Sequence, residues 1–151
     1  MLPKIRIAEA SDSKAVEELF REMLKSVYHT EDVHGYEEGY LDRFFAGGED
    51  RILLACEQGK VIGYLSIEVH RSPERVYLYL DDFCVSQAYR NMGIGSILLD
   101  HAMQYARQLH IPEIFLHVEK TNVRAEAFYK RHGFGVYEDQ GTRCLLVCHL
   151  F

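Results

Sequence analysis

A chain of 151 residues with a formal charge of -6 has room for one hydrophobic core and not for two ordinary domains. Its acidity argues against a general nucleic-acid surface and favours a cationic partner such as an amine or a basic peptide. No stretch approaches the ~20 apolar residues that span a bilayer, and the opening MLPKIRIAEA lacks the apolar run of a signal peptide, so a cytoplasmic protein without membrane contact is expected.

Lys4–Ala8 alternates as a short strand, and Ser11-Asp12-Ser13 offers N-cap residues for a helix to about Val27. Val16, Leu19, Phe20, Met23, Leu24 and Val27 recur at steps of three and four, which makes one buried helical face. The segment from Tyr28 to Gly39 is polar, aromatic and glycine-punctuated, and Tyr40–Phe45 resumes an apolar helical pattern. Arg51–Glu57 and Lys60–Val69 flank Gln58-Gly59 as a hairpin, and a loop over His70–Arg75 leads to a third strand, Val76–Val85. In that strand Leu78, Leu80, Asp82 and Cys84 fall on one side and Tyr77, Tyr79, Asp81, Phe83 and Val85 on the other. Two adjacent carboxylates in an apolar strand are costly to bury, so at least one is expected to line a cleft or meet a cation.

A helix is expected from about Gly93 to Leu109, stopped by Pro112, and Glu113–Glu119 follows as a strand parallel to the one before the helix. Thr121 or Asn122 caps a helix to about Arg131, Gly133 ends it, and Phe134–Glu138 and Arg143–Leu150 close the chain as a hairpin. Cys56, Cys84, Cys144 and Cys148 lie in apolar runs without a Cys-x-x-Cys pair and read as small core residues in a reducing compartment. None of the eight histidines pairs at zinc-like spacing, so no metal is expected. The absence of repeats and linkers predicts a single domain over residues 1–151.

The junction between Val85 and the central helix carries Arg90-Asn91-Met92-Gly93-Ile94-Gly95-Ser96. Two glycines feeding a helix let the backbone approach a ligand and leave N–H groups without intrahelical partners, where the helix dipole and Arg90 favour a phosphate or pyrophosphate. The P-loop pattern is missing, and a Gly-x-Gly-x-x-Gly fingerprint would need glycine at Leu98, which disfavours a nucleotide-binding structural domain. The remaining Arg-x-x-Gly-x-Gly resembles the pyrophosphate motif of the GNAT superfamily of acyl-coenzyme A-dependent N-acyltransferases. Asn122, Ala125, Phe128-Tyr129 and Gly133-Phe134 are similar to that family's later segment. Asn91 departs from the family, which often has glycine there, and proline is missing near Gln87.

This resemblance implies an α+β (mixed α/β) fold with a seven-stranded sheet split into a V and about four flanking helices. It further implies acetyl transfer from acetyl-CoA to an amine, by direct attack in a ternary complex. Pantetheine would pair with the backbone of Phe83, Cys84 and Val85, where the family strand carries a bulge. Arg90, Asn91, Met92, Gly93, Ile94, Gly95 and Ser96 would hold the pyrophosphate, and Asn122 the pantetheine arm. Tyr129 would be the general acid, because a tyrosine's ordinary pKa of ~10 exceeds a thiol's ~8.5 and keeps it protonated.

The pattern Leu80-Asp81-Asp82-Phe83 is similar to the acidic pair of polyamine acetyltransferases. Asp81 or Asp82 would take the amine's proton directly, take it through water, or only attract the cation. A small amine, diamine or polyamine leads as acceptor, with a peptide or lysine amine next. Tyr28, His29, His34 and Tyr36 fall in the segment that shapes the acceptor mouth. A non-catalytic coenzyme A-binding module is the rival reading, and exposed edges in the final hairpin leave room for a homodimer.

Overall fold

The computed structural model describes residues 2–151; Met1, which the expected domain includes, lies outside the described residues. Among the described residues seven strands hydrogen-bond in the order β1-β2-β3-β4-β5-β7-β6, with three α-helices and three short 3-10 helices, so the mixed α/β class is as expected. Contacts divide the chain into two compact units. The first holds the chain up to Ile67 together with Asp82–Ala102; the second holds Glu68–Asp81 and Met103–Phe151.

In the first unit β1 (Lys4–Ile7) pairs antiparallel with β2 (Arg51–Glu57), which pairs antiparallel with β3 (Lys60–Arg71). Gln58 and Gly59 both have positive φ, at 50° and 79°, the conformation that joins two twisted strands in a two-residue turn. Helix α1 (Ser13–Tyr28) contributes Val16 and Leu19 to a core with Leu41, Phe44, Ile52, Leu54, Tyr64 and Cys84. Tyr40–Phe45 is a 3-10 helix rather than an α-helix, and its three-residue period sets Leu41 and Phe44 on the same buried side.

The start of α1 falls within the expected Ser11-Asp12-Ser13. Asp12 is the cap residue but gives no capping bond, because its carboxylate is engaged elsewhere. It receives two hydrogen bonds from the Arg6 guanidinium, each 2.8 Å, and one from the Glu9 N–H at 2.8 Å, which ties β1 to the helix start.

In the second unit β4 (Val76–Val85) pairs parallel with β5 (Glu113–Glu119) over Leu78–Ile114, Tyr79–Phe115 and Leu80–Leu116. β7 (Arg143–His149) lies antiparallel to β5 along its whole length and carries β6 (Gly135–Asp139) on its other side. The expected loop after Val69 is shorter: β3 runs on to Arg71, His70 stacks on Tyr77 at 4.8 Å, and Ser72 and Arg75 close the turn. Helix α2 (Ile94–Gln108) leads to β5, and α3 (Val123–Arg131) is capped by Asn122, whose side chain accepts the Ala125 N–H at 3.2 Å.

The Arg6 guanidinium holds the Asp12 carboxyl below the usual carboxylate range, against the opposing effect of burial. A depressed carboxylate contributes stability that is present above its ordinary pKa and is lost as pH falls through the folded value. Asp12→Asn is expected to cost about 1–2 kcal/mol, allowing for screening at the part-exposed Arg6. In urea titrations the gap to wild type should stay constant over about pH 5–8 and close below about pH 4.

Candidate active site

Strand β4 has the two-sided character that its alternation predicts. Leu78, Leu80 and Cys84 are buried, and Asp82, on their side, is half-buried. A carboxylate there needs hydrogen-bond donors, and the first unit supplies one through the segment after α1. Tyr36 Oη donates to Asp82 Oδ2 at 2.7 Å and lies 2.7 Å from Tyr64 Oη. A hydroxyl has one hydrogen, so Tyr36 gives its own to the carboxylate and Tyr64 gives its own to Tyr36. The backbone N–H of Asp82 donates to Ser66 Oγ at 2.9 Å, fixing the strand beneath the carboxylate.

The Tyr36 ring is held from both sides, stacked on Phe20 at 4.0 Å and on Tyr40 at 4.9 Å. Burial, and then the Asp82 charge, push the Tyr36 hydroxyl far above its ordinary pKa, and burial does the same to Tyr64. Both therefore stay protonated and act as donors. The neighbouring Cys84 thiol is pushed up to about 12, chiefly by burial, so it is a packed thiol against Met23 Sδ at 3.3 Å and not a nucleophile.

Beyond Cys84 the strand is drawn onto β3. Gly63 leaves room for the Cys84 carbonyl, which a Cβ would meet at 3.1 Å, and Ser86 N–H donates to Ile62 O at 2.8 Å. The following 3-10 turn (Gln87–Tyr89) is anchored on α1, where Glu22 Oε2 accepts the Gln87 N–H at 2.8 Å. Arg90 is exposed and reaches back to the Val85 carbonyl with Nε at 3.3 Å.

Asn91 and Gly93 both lie in the left-handed region, at φ 63° and 79°, and the first helical bond of α2 runs from Ile97 N–H to Gly93 O. The N–H groups of Ile94, Gly95 and Ser96 therefore open the helix without intrahelical acceptors. With the helix dipole and Arg90 beside them, they form a seat for an anion. A Cβ on Gly93 would meet nothing within 4 Å, so its constraint is conformational rather than steric.

The other expected site residues lie as follows. Tyr28 is exposed at the end of α1 and His29 follows in the left-handed conformation, whereas Tyr36 reaches Asp82. Asp81, on the opposite side of β4 from Asp82, is exposed. In the second unit Tyr129 is half-buried on α3, edge-on to Phe128 and Phe134, and exposed Asn122 caps the same helix.

Sequence reasoning missed Tyr64 and Ser66, which sit in an apolar strand and have no local signal beyond their polarity. It also passed over Tyr79 and His117, which share a hydrogen bond on the second unit. A histidine in the middle of the apolar run EIFLHVE was the available clue.

The sequence model of the Acetyltransferase (GNAT) family matches residues 14–134. The chain is 32% identical to the uncharacterised N-acetyltransferase YhfO of Bacillus subtilis (strain 168) over 91% of each. It is 30% identical to the L-amino acid N-acetyltransferase AaaT of Escherichia coli (strain K12), over 91% of this chain and 84% of that one. Its fold is similar to that of the PaiA N-acetyltransferase from Thermoplasma acidophilum in complex with coenzyme A, with a TM-score of 0.80, 20% identity, and coverage of 99% of this chain and 100% of that one.

Replacing Tyr36 by phenylalanine keeps the ring stack and removes the bridging hydroxyl, which takes one acceptor from Tyr64 and one donor from Asp82. The expected loss is about 1.5–3 kcal/mol in chemical denaturation, because one of the two bonds is to a charged group. The double variant Tyr36→Phe/Tyr64→Phe should recover part of it, since no buried donor is then stranded.

Proposed function

Since the chain belongs to the acetyltransferase (GNAT) family, we propose that it moves an acetyl group from acetyl-CoA to a small amine, diamine or polyamine by direct attack in a ternary complex. It is an acyl-CoA-dependent N-acetyltransferase, and the finer assignment concerns its acceptor, its site and its mechanism. The observation that carries the reading is the turn from Arg90 to Ser96, with Gly93 at positive φ and three helix-opening N–H groups, which suits a pyrophosphate. The backbone of Phe83, Cys84 and Val85 is the pantetheine rail, and Asn122 steadies the arm. Asp81 and Asp82 supply the negative field that draws the ammonium, and Tyr28, His29 and Tyr36 border the acceptor. We read residues 1–151 as one domain, because the chain passes between the two units inside β3, β4 and α2.

An ammonium has no lone pair, so the acceptor must lose a proton before it attacks the thioester carbonyl, and the departing thiolate must gain one. Tyr129 is the donor to that sulfur. Direct transfer needs all of these groups at once, whereas a coenzyme-binding module without catalysis would need only the turn.

The experiment is a screen of amines, polyamines, amino acids and peptides with acetyl-CoA, reading thiol release; a protein that binds the coenzyme and releases no thiol with any acceptor favours the module. Gly93→Val should weaken coenzyme binding at least tenfold in calorimetry while the fold is retained, because a β-branched residue resists positive φ. Tyr129→Phe should lower kcat by about 10²–10⁴ with KM nearly unchanged. A variant as fast as the parent at every pH would withdraw the acid role from Tyr129.

A further inference from the structure

The 3-10 turn Gln87–Tyr89 that leads to the anion seat starts on glutamine and not on proline, so its first N–H needs an acceptor. Ser86, in the cap position, gives no side-chain bond. The acceptor comes from another element. Glu22 Oε2, on α1, takes the Gln87 N–H at 2.8 Å across 65 residues of sequence. The carboxylate carries a charge, which makes the bond stronger than one to a neutral cap.

Helix α1 holds that carboxylate at a fixed point. Val16 and Leu19 are buried in the core, Phe20 stacks on Tyr36 at 4.0 Å, and Met23 Sδ meets Cys84 Sγ at 3.3 Å, so the helical turn that carries Glu22 is packed in place. One residue before Gln87, the Ser86 N–H donates to Ile62 O at 2.8 Å. The 3-10 turn is thus pinned to β3 at Ser86 and to α1 at the next residue.

Arg90 leaves the turn with an extended backbone, φ -68° and ψ 155°, and two of the next three residues, Asn91 and Gly93, are left-handed. A path that changes direction so often takes its starting orientation from the turn before it. An error at Gln87 is carried to the N–H groups of Ile94, Gly95 and Ser96, whose value to an anion depends on their pointing at one place.

We propose that Glu22 is a positioning residue for the coenzyme: by capping the Gln87–Tyr89 turn from α1, it aims the Arg90–Ser96 seat at the pyrophosphate. The inference rests on the acetyl-CoA reading above. Glu22 acts through the backbone of the turn, and the sign of its effect separates this role from that of a bystander. A carboxylate near a polyanion repels it, so removing a bystander charge would tighten coenzyme binding or leave it unchanged. Removing the cap weakens it.

The measurement is calorimetry of the full chain with coenzyme A, beside Glu22→Ala, Glu22→Gln, Gln87→Pro and the control Glu18→Ala, which removes an exposed acid one helical turn earlier on α1. Glu22→Ala should weaken binding about 3- to 30-fold, the range for loss of one exposed, charge-assisted bond. Glu22→Gln keeps an acceptor oxygen and should restore most of the affinity, and Glu18→Ala should bind as the parent does. Proline has no N–H and suits the first position of a helical turn, and Ser86 already has the conformation, φ -54° and ψ 138°, that a following proline favours. In the Gln87→Pro background Glu22→Ala should therefore cost nothing further. In thiol release Glu22→Ala should raise the KM for acetyl-CoA with kcat kept, and leave kcat/KM unchanged for S-acetylpantetheine, which has no pyrophosphate.

A folded Glu22→Ala protein that binds coenzyme A as tightly as the parent, or that loses S-acetylpantetheine equally, overturns the proposal. So does a further loss from Glu22→Ala in the Gln87→Pro background, a comparison that stands even if Glu22→Ala alone does not fold. A parent that binds coenzyme A beside unaffected variants removes the role of Glu22 alone; a parent that binds none removes the acetyl-transfer reading and that role with it.

Discussion

A strand changes face at every residue, and β4 applies that constraint to chemistry. Ten residues put Leu78, Leu80 and Cys84 on one side with Asp82, and Tyr77, Tyr79 and Asp81 on the other. A shift of one residue in register would bury Asp81 and Tyr79 and expose two leucines. The same pairing that forms the core therefore fixes which carboxylate meets the tyrosines and which side chain meets His117. Stability and site geometry are set by one decision, and neither can drift without the other.

Tyr36, Tyr64 and Asp82 show how a polar group is kept inside an apolar half-sheet. Each hydroxyl proton has a direction, from Tyr64 to Tyr36 to the carboxylate, and Ser66 accepts the strand's own N–H below it. Stacking of Tyr36 between Phe20 and Tyr40 leaves its hydroxyl little freedom, so its bond to Asp82 is held in one direction. Removing one member takes a bond from the next, which couples the three side chains rather than leaving them a sum of pairs.

Much of the architecture was legible because it rests on local chemistry. The bounds Arg51–Glu57, Val76–Val85 and Glu113–Glu119 are those the alternation predicts, and Gln58-Gly59 forms the expected turn with both φ values positive. The strand–turn–helix at Arg90–Ser96 was legible for the same reason, since glycine spacing encodes backbone conformation. What the sequence hid was long-range. Nothing near Asp12 announces that Arg6 will occupy its carboxylate instead of the helix start, and nothing near His70 announces the stack on Tyr77 that lengthens β3. Partners separated by 28 residues, such as Tyr36 and Tyr64, or by 38, such as Tyr79 and His117, are visible only once the strands are paired.

The strand order in the second unit imposes an order of events on synthesis. β6 leaves the ribosome before β7, yet it is joined to the rest of the sheet only through β7, which lies between it and β5. Until β7 arrives, β5 presents an open edge bearing Ile114, Leu116 and Val118, and β6 has no strand to bind. His117 waits as well, because Gln140 sits in the turn that only the closed hairpin positions. A chain that has made β6 and not yet β7 thus carries an unpaired β5 edge, open to the wrong strand until the right one arrives.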